Sequence, residues 1–579
     1  MRDQESTGEH PGSSPDAVPS LMGALAGTAG AAVGLGFGEL VEGASESIPS
    51  LVVAVSELLS DYTPGDVVRF SIANFGASQK TLLTAGIIAG SLVLGGVLGR
   101  FAARGRPGAM LAGFALFGLL GGWAAARNPI SPAAGSWIVG LAAAALAAGT
   151  TLLLVGRLAE PAVRSPATLP VDPEQPEPAG DVAAPAGEVQ ARRAFFGFAV
   201  GAGAAALAMV GLGRALRGQS AAEQFLETNT LRSAATTTSV PPPTTEAAAA
   251  PGSTTTTTTA PAPVGPSVQE QVAALDTLDG DVAGVSSYVT PNDSFYRIDT
   301  AFGRVPQIDP ANWRLRIGGM VDNPYELTFD EIQAMELSDH VITLSCVSNR
   351  VGGNLVGNAV WTGVPLSVLL DRAGVQAGAD QVVGRSVDDW TAGFPTPLVY
   401  DGRNAILAIG MNDEFLPTNH GFPARLVVAG LYGYVSAVKW LDEIHLTTWD
   451  GFDGYWVPRG WSKEGPIKTQ SRIDVPAAGR GLVAGQTTPI AGIAWAPTRG
   501  IERVEVNVDD EGWLPCRLGE ALGDESWVQW HREWIPSEGR HRIQVRATDG
   551  DGITQSGEPV DPAPNGAEGW HTITVTVDA

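Results

Sequence analysis

TLSCVSNRVGG, residues 343–353, is the stretch on which the reading of this chain turns. A lone cysteine leaves an apolar run and enters a polar, glycine-containing loop, a placement that presents a thiolate to a metal. Taken alone, Cys346 is better read as a small buried hydrophobe. Its surroundings decide between the two. HVITLSC (340–346) reads as a strand ending at the cysteine, and WRLRIGG (313–319) alternates like a half-buried strand. RLVVAG (425–430) and VKWLDEIHL (438–446) read as further strands, and VPLSVLLDRAG (364–374) as a short helix closed by glycine. The mixture predicts an α+β unit over residues 281–475.

Beyond it, IERVEVNVD (501–509), HRIQVRATD (541–549) and HTITVTV (571–577) alternate cleanly between turns. That spacing predicts an all-β, immunoglobulin-like sandwich over 476–579. Ahead of the α+β unit the composition changes sharply. Residues 234–266 are a Thr/Pro/Ala tract with nothing to bury, so 216–280 is expected to be a linker. Five apolar stretches, near 21–38, 81–99, 108–126, 135–156 and 194–213, each approach the roughly 20 residues that cross a bilayer. A helical membrane domain of five spans is therefore expected over 21–215, after a disordered tail at 1–20. Arg100, Arg104 and Arg106 fall in one loop, and Arg157, Arg164, Arg192 and Arg193 in another. The positive-inside rule puts those loops in the cytoplasm and everything after residue 214 outside.

Net charge is −25 with no basic cluster, which excludes nucleic acid as a natural partner. Only Cys346 and Cys516 are cysteines, too few for a disulfide framework or a cysteine-ligated cluster. A single 346–516 disulfide stays open as an alternative.

CVSNR (346–350), HGFPARLVVAG (420–430) with VKWL (438–441), and PNDSFYRID (291–299) together resemble the sulfite oxidase family, including its bacterial sulfoxide-reducing relatives. WVQWHREW (527–534) and the final GWHTITV resemble that family's dimerisation domain. The resemblance implies a molybdenum–molybdopterin cofactor, with Cys346 as the protein ligand to the metal. It assigns cofactor binding to Phe295, Tyr296, Arg297, His420, Arg425, Ala437, Val438 and Lys439, and places Ser386 and Asp388 near another cofactor contact. Arg350 and Arg297 would steady charge beside the metal, as catalytic residues. A small-molecule substrate, an external electron carrier (a cytochrome or a quinol-linked protein), a membrane and a homodimer partner are implied as well.

Two departures bear on the substrate. The family's sulfite oxidases carry a second arginine directly after the one matching Arg350, where this chain has Val351. Their active-site tyrosine falls where it reads DDWTAGFPTPL (388–398), with Trp390 and Phe394 expected to line the pocket. Sulfoxide-reductase-type activity is therefore the alternative within the family, and a non-enzymatic envelope-binding module the alternative outside it. No histidine lies in the apolar stretches and no CxxCH is present, so no haem is expected. ARRAFFGFAVGAG (191–203) resembles a twin-arginine export signal placed internally, which suits a domain that receives its cofactor before export.

Overall fold

The computed structural model describes residues 20–45, 47–129, 131–159, 186–231, 266–301 and 305–579. The N-terminal tail, the loop carrying Arg164 and nearly all of the Thr/Pro tract lie outside the described residues. The described chain falls into two compact units.

The first unit is helical. Ser20–Ala44, Gln79–Ala103, Pro107–Ala126, Ala133–Ala159 and Ala186–Leu216 are its long helices, and five helices are long and apolar enough to cross a membrane. A shorter helix, Leu51–Tyr62, capped by Ser50, was not expected from the sequence pattern. Ser20–Ala44 is the central member, and its glycines explain why. A methyl group on Gly27 would lie 2.0 Å from the main-chain oxygen of Gly95, and one on Gly99 2.0 Å from that of Gly23. Only small residues let two helix backbones approach so closely. Thr28 Oγ1 adds a hydrogen bond to the Leu92 carbonyl across the same seam, 3.2 Å long.

In the second unit, one sheet runs Tyr325–Thr328, Arg314–Gly319, Leu441–Thr447, Gln381–Ser386, Thr391–Pro395. Only the pairing of Arg314–Gly319 with Leu441–Thr447 is parallel. A second, antiparallel sheet runs Ser338–Ser345, Val356–Pro365, Ala405–Met411, Glu414–Phe415, with Arg425–Val428 also paired to Ala405–Met411. Near-continuous apolar runs such as AILAIGM are buried on both faces, as their composition requires. The helix Leu366–Ala373 ends at Gly374, whose φ of +68° suits its glycine.

Two further sheets pack face to face. One runs Gln470–Val475, Thr488–Trp495, Val528–Trp534, Arg517–Leu518, and the other Gly481–Val483, His571–Asp578, Gly539–Asp549, Ile501–Val508, Trp513–Pro515. Between them lie Ile490, Val506, Trp530, Ile543 and Val575. The first of these strands starts ahead of the boundary expected at 476. Ordered structure also begins inside the expected linker: Ala221–Thr228 and Val268–Ala273 are helices with capping boxes, and Ala222 and Leu278 are fully buried.

The segment VKWLDEIHL corrects one expectation. Its strand begins only at Leu441, because Trp440 takes φ +51° and turns Lys439 out of the ladder. Trp440 Nε1 donates to the Thr418 carbonyl at 2.7 Å, which holds that turn against the loop around His420.

Candidate active site

Cys346 directly follows the strand Ser338–Ser345 and is buried. Its N–H donates to the Leu355 carbonyl at 2.9 Å, and its carbonyl accepts from Asn349 N at 3.0 Å. Buried Asn349 closes the loop by accepting from Leu355 N through Oδ1, 2.9 Å away. Burial pushes the Cys346 thiol up, against hydrogen bonds from Ser348. The free protein thus holds a neutral thiol, and a metal taking it as ligand must displace the proton. Cys346 and Cys516 are both free, so the disulfide alternative is not realised.

The loop PNDSFYRID supplies the next wall. Phe295 is buried edge-on to Trp361 and His420, and stacks on Tyr296 with ring centres 5.3 Å apart. Tyr296 feels both neighbouring groups. After burial, the field of Cys346 raises its phenol while that of Arg425 lowers it. Arg425 is buried, its guanidinium 4.9 Å from the Trp361 ring centre and donating through Nη1 to the His420 carbonyl at 3.0 Å. Burial lowers it to about 10, so it stays charged at neutral pH.

His420 is almost fully buried. Burial first, then Arg425, holds it down at about 4. Its Nε2 lies 2.9 Å from the Asn292 carbonyl, which only accepts, so Nε2 carries the proton and Nδ1 is left as an acceptor. A pH dependence follows. Between pH 6.5 and about 4 the unfolded chain takes up a proton that the folded chain declines. Stability conferred by this site therefore falls as pH falls through that window. The melting temperature of His420→Asn should show a shallower pH slope there than the native chain, and parallel slopes would contradict the assignment.

Lys439, also buried, completes the cluster. Its Nζ pairs with Asp299 at 2.8 Å, donates to the Asn419 carbonyl at 3.2 Å and lies 4.5 Å from the Trp440 ring centre. Burial outweighs Asp299 and lowers it to about 8. Asp299 also pairs with Arg297, 2.7 Å away, whose side chain is 42% exposed. Gly421, at φ +114°, permits the close turn between these basic residues. A methyl there would meet Lys439 Cβ at 3.1 Å and Arg425 Cβ at 3.2 Å. Gly421→Ala should lower stability by about 1–3 kcal/mol, from left-handed strain plus crowding. A melting temperature equal to that of the native chain would contradict this.

Other expected residues fall unevenly. Ser386 and Asp388 sit on a turn tied to the same region by Val387 N donating to the Trp440 carbonyl at 3.0 Å. Burial raises the Asp388 carboxyl, Asp299 adding and Lys439 opposing. Ala437 is half-buried on the approach to Lys439, whereas Val438 and Phe394 belong to the hydrophobic core. The expectation that Phe394 lines the pocket is thus corrected: its strand turns the ring inward, and only Trp390 stays half-exposed. Arg350 is exposed at the end of the Cys346 turn. The sequence reading did not single out Asp299, Asn292, Asn419 or Trp361. A carboxylate beside Arg297 looks like a surface pair, and only the fold makes it the counter-ion of Lys439.

Two buried atoms are without hydrogen-bond partners here: Arg425 Nε and Asn419 Oδ1. Leaving such atoms unpaired costs about 1–3 kcal/mol each. A donor and an acceptor left open beside Lys439 and His420 fit an anionic, hydrogen-bonding cofactor. Among the described residues no group of three or more His, Cys, Asp or Glu could hold a metal.

Comparison with known proteins agrees. Residues 302–456 match the model of the oxidoreductase molybdopterin binding domain. The uncharacterized oxidoreductase YuiH of Bacillus subtilis (strain 168) is 32% identical over 31% of this chain and 89% of its own. Arabidopsis thaliana sulfite oxidase is 29% identical over 42% of this chain and 73% of its own, and human mitochondrial sulfite oxidase 26% identical over 50% and 62%. The alignment thus takes in less than two thirds of the human relative. Fold and site define a molybdopterin-dependent oxidoreductase. The chain belongs to the sulfite oxidase family of these enzymes. As an oxidoreductase it is not the non-enzymatic module that the sequence left as an alternative.

Proposed function

We propose that this protein is a membrane-anchored, extracytoplasmic molybdenum enzyme that transfers an oxygen atom to or from a small substrate in a two-electron step. One observation carries the reading: the buried Cys346 thiol and buried Arg425 both act on Tyr296, and Arg425 adjoins His420 and Lys439, where a buried donor and acceptor stand open. When bound, the molybdenum–pterin group supplies a metal that cycles over two electrons and exchanges oxygen. Cys346 would be the protein ligand to that metal, binding it as the thiolate. Arg425, Lys439 and Arg297 offset the cofactor's negative charge. Phe295 and Tyr296 would line the cofactor's site, His420 and Asn419 would offer it acceptors, and Ser386, Asp388, Ala437 and Val438 would shape the turns beside the basic groups. Arg350 and Arg297, both solvent-facing, meet the substrate and steady charge that develops there. Electrons pass to an external carrier, a cytochrome or a quinol-linked protein.

The arginine-bearing loops favour a cytoplasmic N-terminus and an outward catalytic part, exported folded through the Arg192–Arg193 signal. The C-terminal sheets are read as an immunoglobulin-like domain of the dimerisation type. A second reading, sulfoxide reduction, is favoured by Val351. Where the family's sulfite oxidases carry a second arginine this chain has an apolar side chain, one cationic donor fewer for a dianionic substrate. One preparation assayed with sulfite plus an artificial acceptor, and with sulfoxides plus a reduced dye, tests both. Turnover in at least one assay is expected, with sulfite slower than in a dedicated sulfite oxidase by about tenfold or more, the value of one lost charged contact. Absence of turnover in both, from molybdenum-loaded protein, would overturn the reading.

A further inference from the structure

We infer that the C-terminal pair of sheets is a working part of the active site, with Arg472 and His571 as positioning residues for the loop that carries Cys346. The inference rests on Cys346 being the metal ligand, but its structural part stands separately. Arg472 lies on Gln470–Val475, a strand of that pair of sheets, and its side chain is only 12% exposed. Three acceptors hold its guanidinium. Nε donates to Asp474 Oδ1 at 2.6 Å, Nη2 to Ser286 Oγ at 2.7 Å, and Nη1 to the main-chain oxygen of Gly353 at 2.9 Å. Asp474 accepts in turn from Ser286 N at 2.9 Å, so the fork is oriented before it reaches the loop. Gly353 N–H donates to the Arg350 carbonyl at 2.8 Å, which makes Gly353 the closing corner of the turn that begins at Cys346.

A second contact is independent of the first. His571 opens the last strand, and Ile473 N–H donates to its Nδ1 at 2.9 Å, fixing the ring. The ring lies so close to Gly352 that a methyl there would come within 2.3 Å of Cδ2. The strand leading to Cys346 is tied to the residue just ahead of the sheet strand Val528–Trp534, since Trp527 N donates to Thr343 Oγ1 at 2.7 Å. The physical need is plain. VGG is a conformationally free sequence, yet a metal ligand must be held within about 0.5 Å of its productive place. An arginine already anchored on two sides loses little further entropy in making the third bond. The sheets thereby set where the thiolate stands, which governs metal retention and metal potential rather than substrate affinity.

The test uses the full chain from a pterin-competent host: native, Arg472→Met and Arg472→Lys. Molybdenum per chain, the reduction potential of the metal centre and hydrogen exchange over 347–355 are measured together. In Arg472→Met, exchange over 347–355 should rise by about tenfold while 541–549 stays protected, as expected of a local opening. Molybdenum occupancy should fall and the potential of the remainder shift, with Arg472→Lys recovering part of each. Should Arg472→Met fail to fold, Ser286→Ala removes one anchor and is read the same way, with an expected rise of about threefold. Native exchange, occupancy and potential in the folded variant would overturn the inference. Molybdenum missing from the native chain would instead sink the reading of Cys346, and the exchange arm would still decide the brace.

Discussion

Cys346→Ser will retain the fold and lose turnover by more than about 100-fold. Even residues that only orient metal ligands are worth 10–100-fold, and the ligand itself is worth more. Serine is nearly isosteric, and the loop is held by main-chain bonds, Cys346 N to Leu355 O and Asn349 N to Cys346 O, that do not involve sulfur. Its hydroxyl gives up a proton far less readily than a thiol and is a hard donor, unsuited to a site built for soft sulfur. Circular dichroism and melting temperature should match the native chain while dye-linked turnover disappears. Activity within tenfold of native would show that sulfur is not the ligand.

Lys439→Met should have the largest effect on stability. Asp299 is 5% exposed and has Lys439 and Arg297 as partners. Removing the buried one leaves a carboxylate desolvated and undercompensated, which costs about 3 kcal/mol, at the low end for buried pairs because Arg297 remains. The melting temperature of the catalytic unit should fall by roughly 6–10 °C. Asp299→Ala strands the opposite charge, and the double variant should recover much of either loss, since neither ion is then left buried alone. Additive losses in the double variant would mean that the two side chains do not act as a pair. Cofactor retention should drop in both Lys439 variants, because the ammonium also faces the open positions beside Asn419.

The parts legible from sequence were those with a strong local signature. Apolar length located the five long helices, and alternation located the strands around Cys346, because burial imposes those periods directly. Turns were harder. The strand expected at 438 starts at Leu441, since nothing in VKWL announces that Trp440 takes a left-handed backbone. Phe394 looked like a pocket residue because its segment aligned with an active-site stretch, but which face of a strand points inward is settled by the register of the neighbouring sheet. Asp299 was invisible for the opposite reason. It belongs to the site through Lys439, far along the chain, and no local pattern encodes such a pairing. Arg472 and His571 likewise act across the chain, Arg472 from the end of the segment read as the α+β unit and His571 from the one read as sandwich.

X-ray absorption at the molybdenum edge, on native and Cys346→Ser protein from a pterin-competent host, tests the central claim most directly. The account predicts a sulfur shell around the metal in the native chain that loses one scatterer when residue 346 is serine. An identical shell in both, or folded native protein without molybdenum, would contradict it.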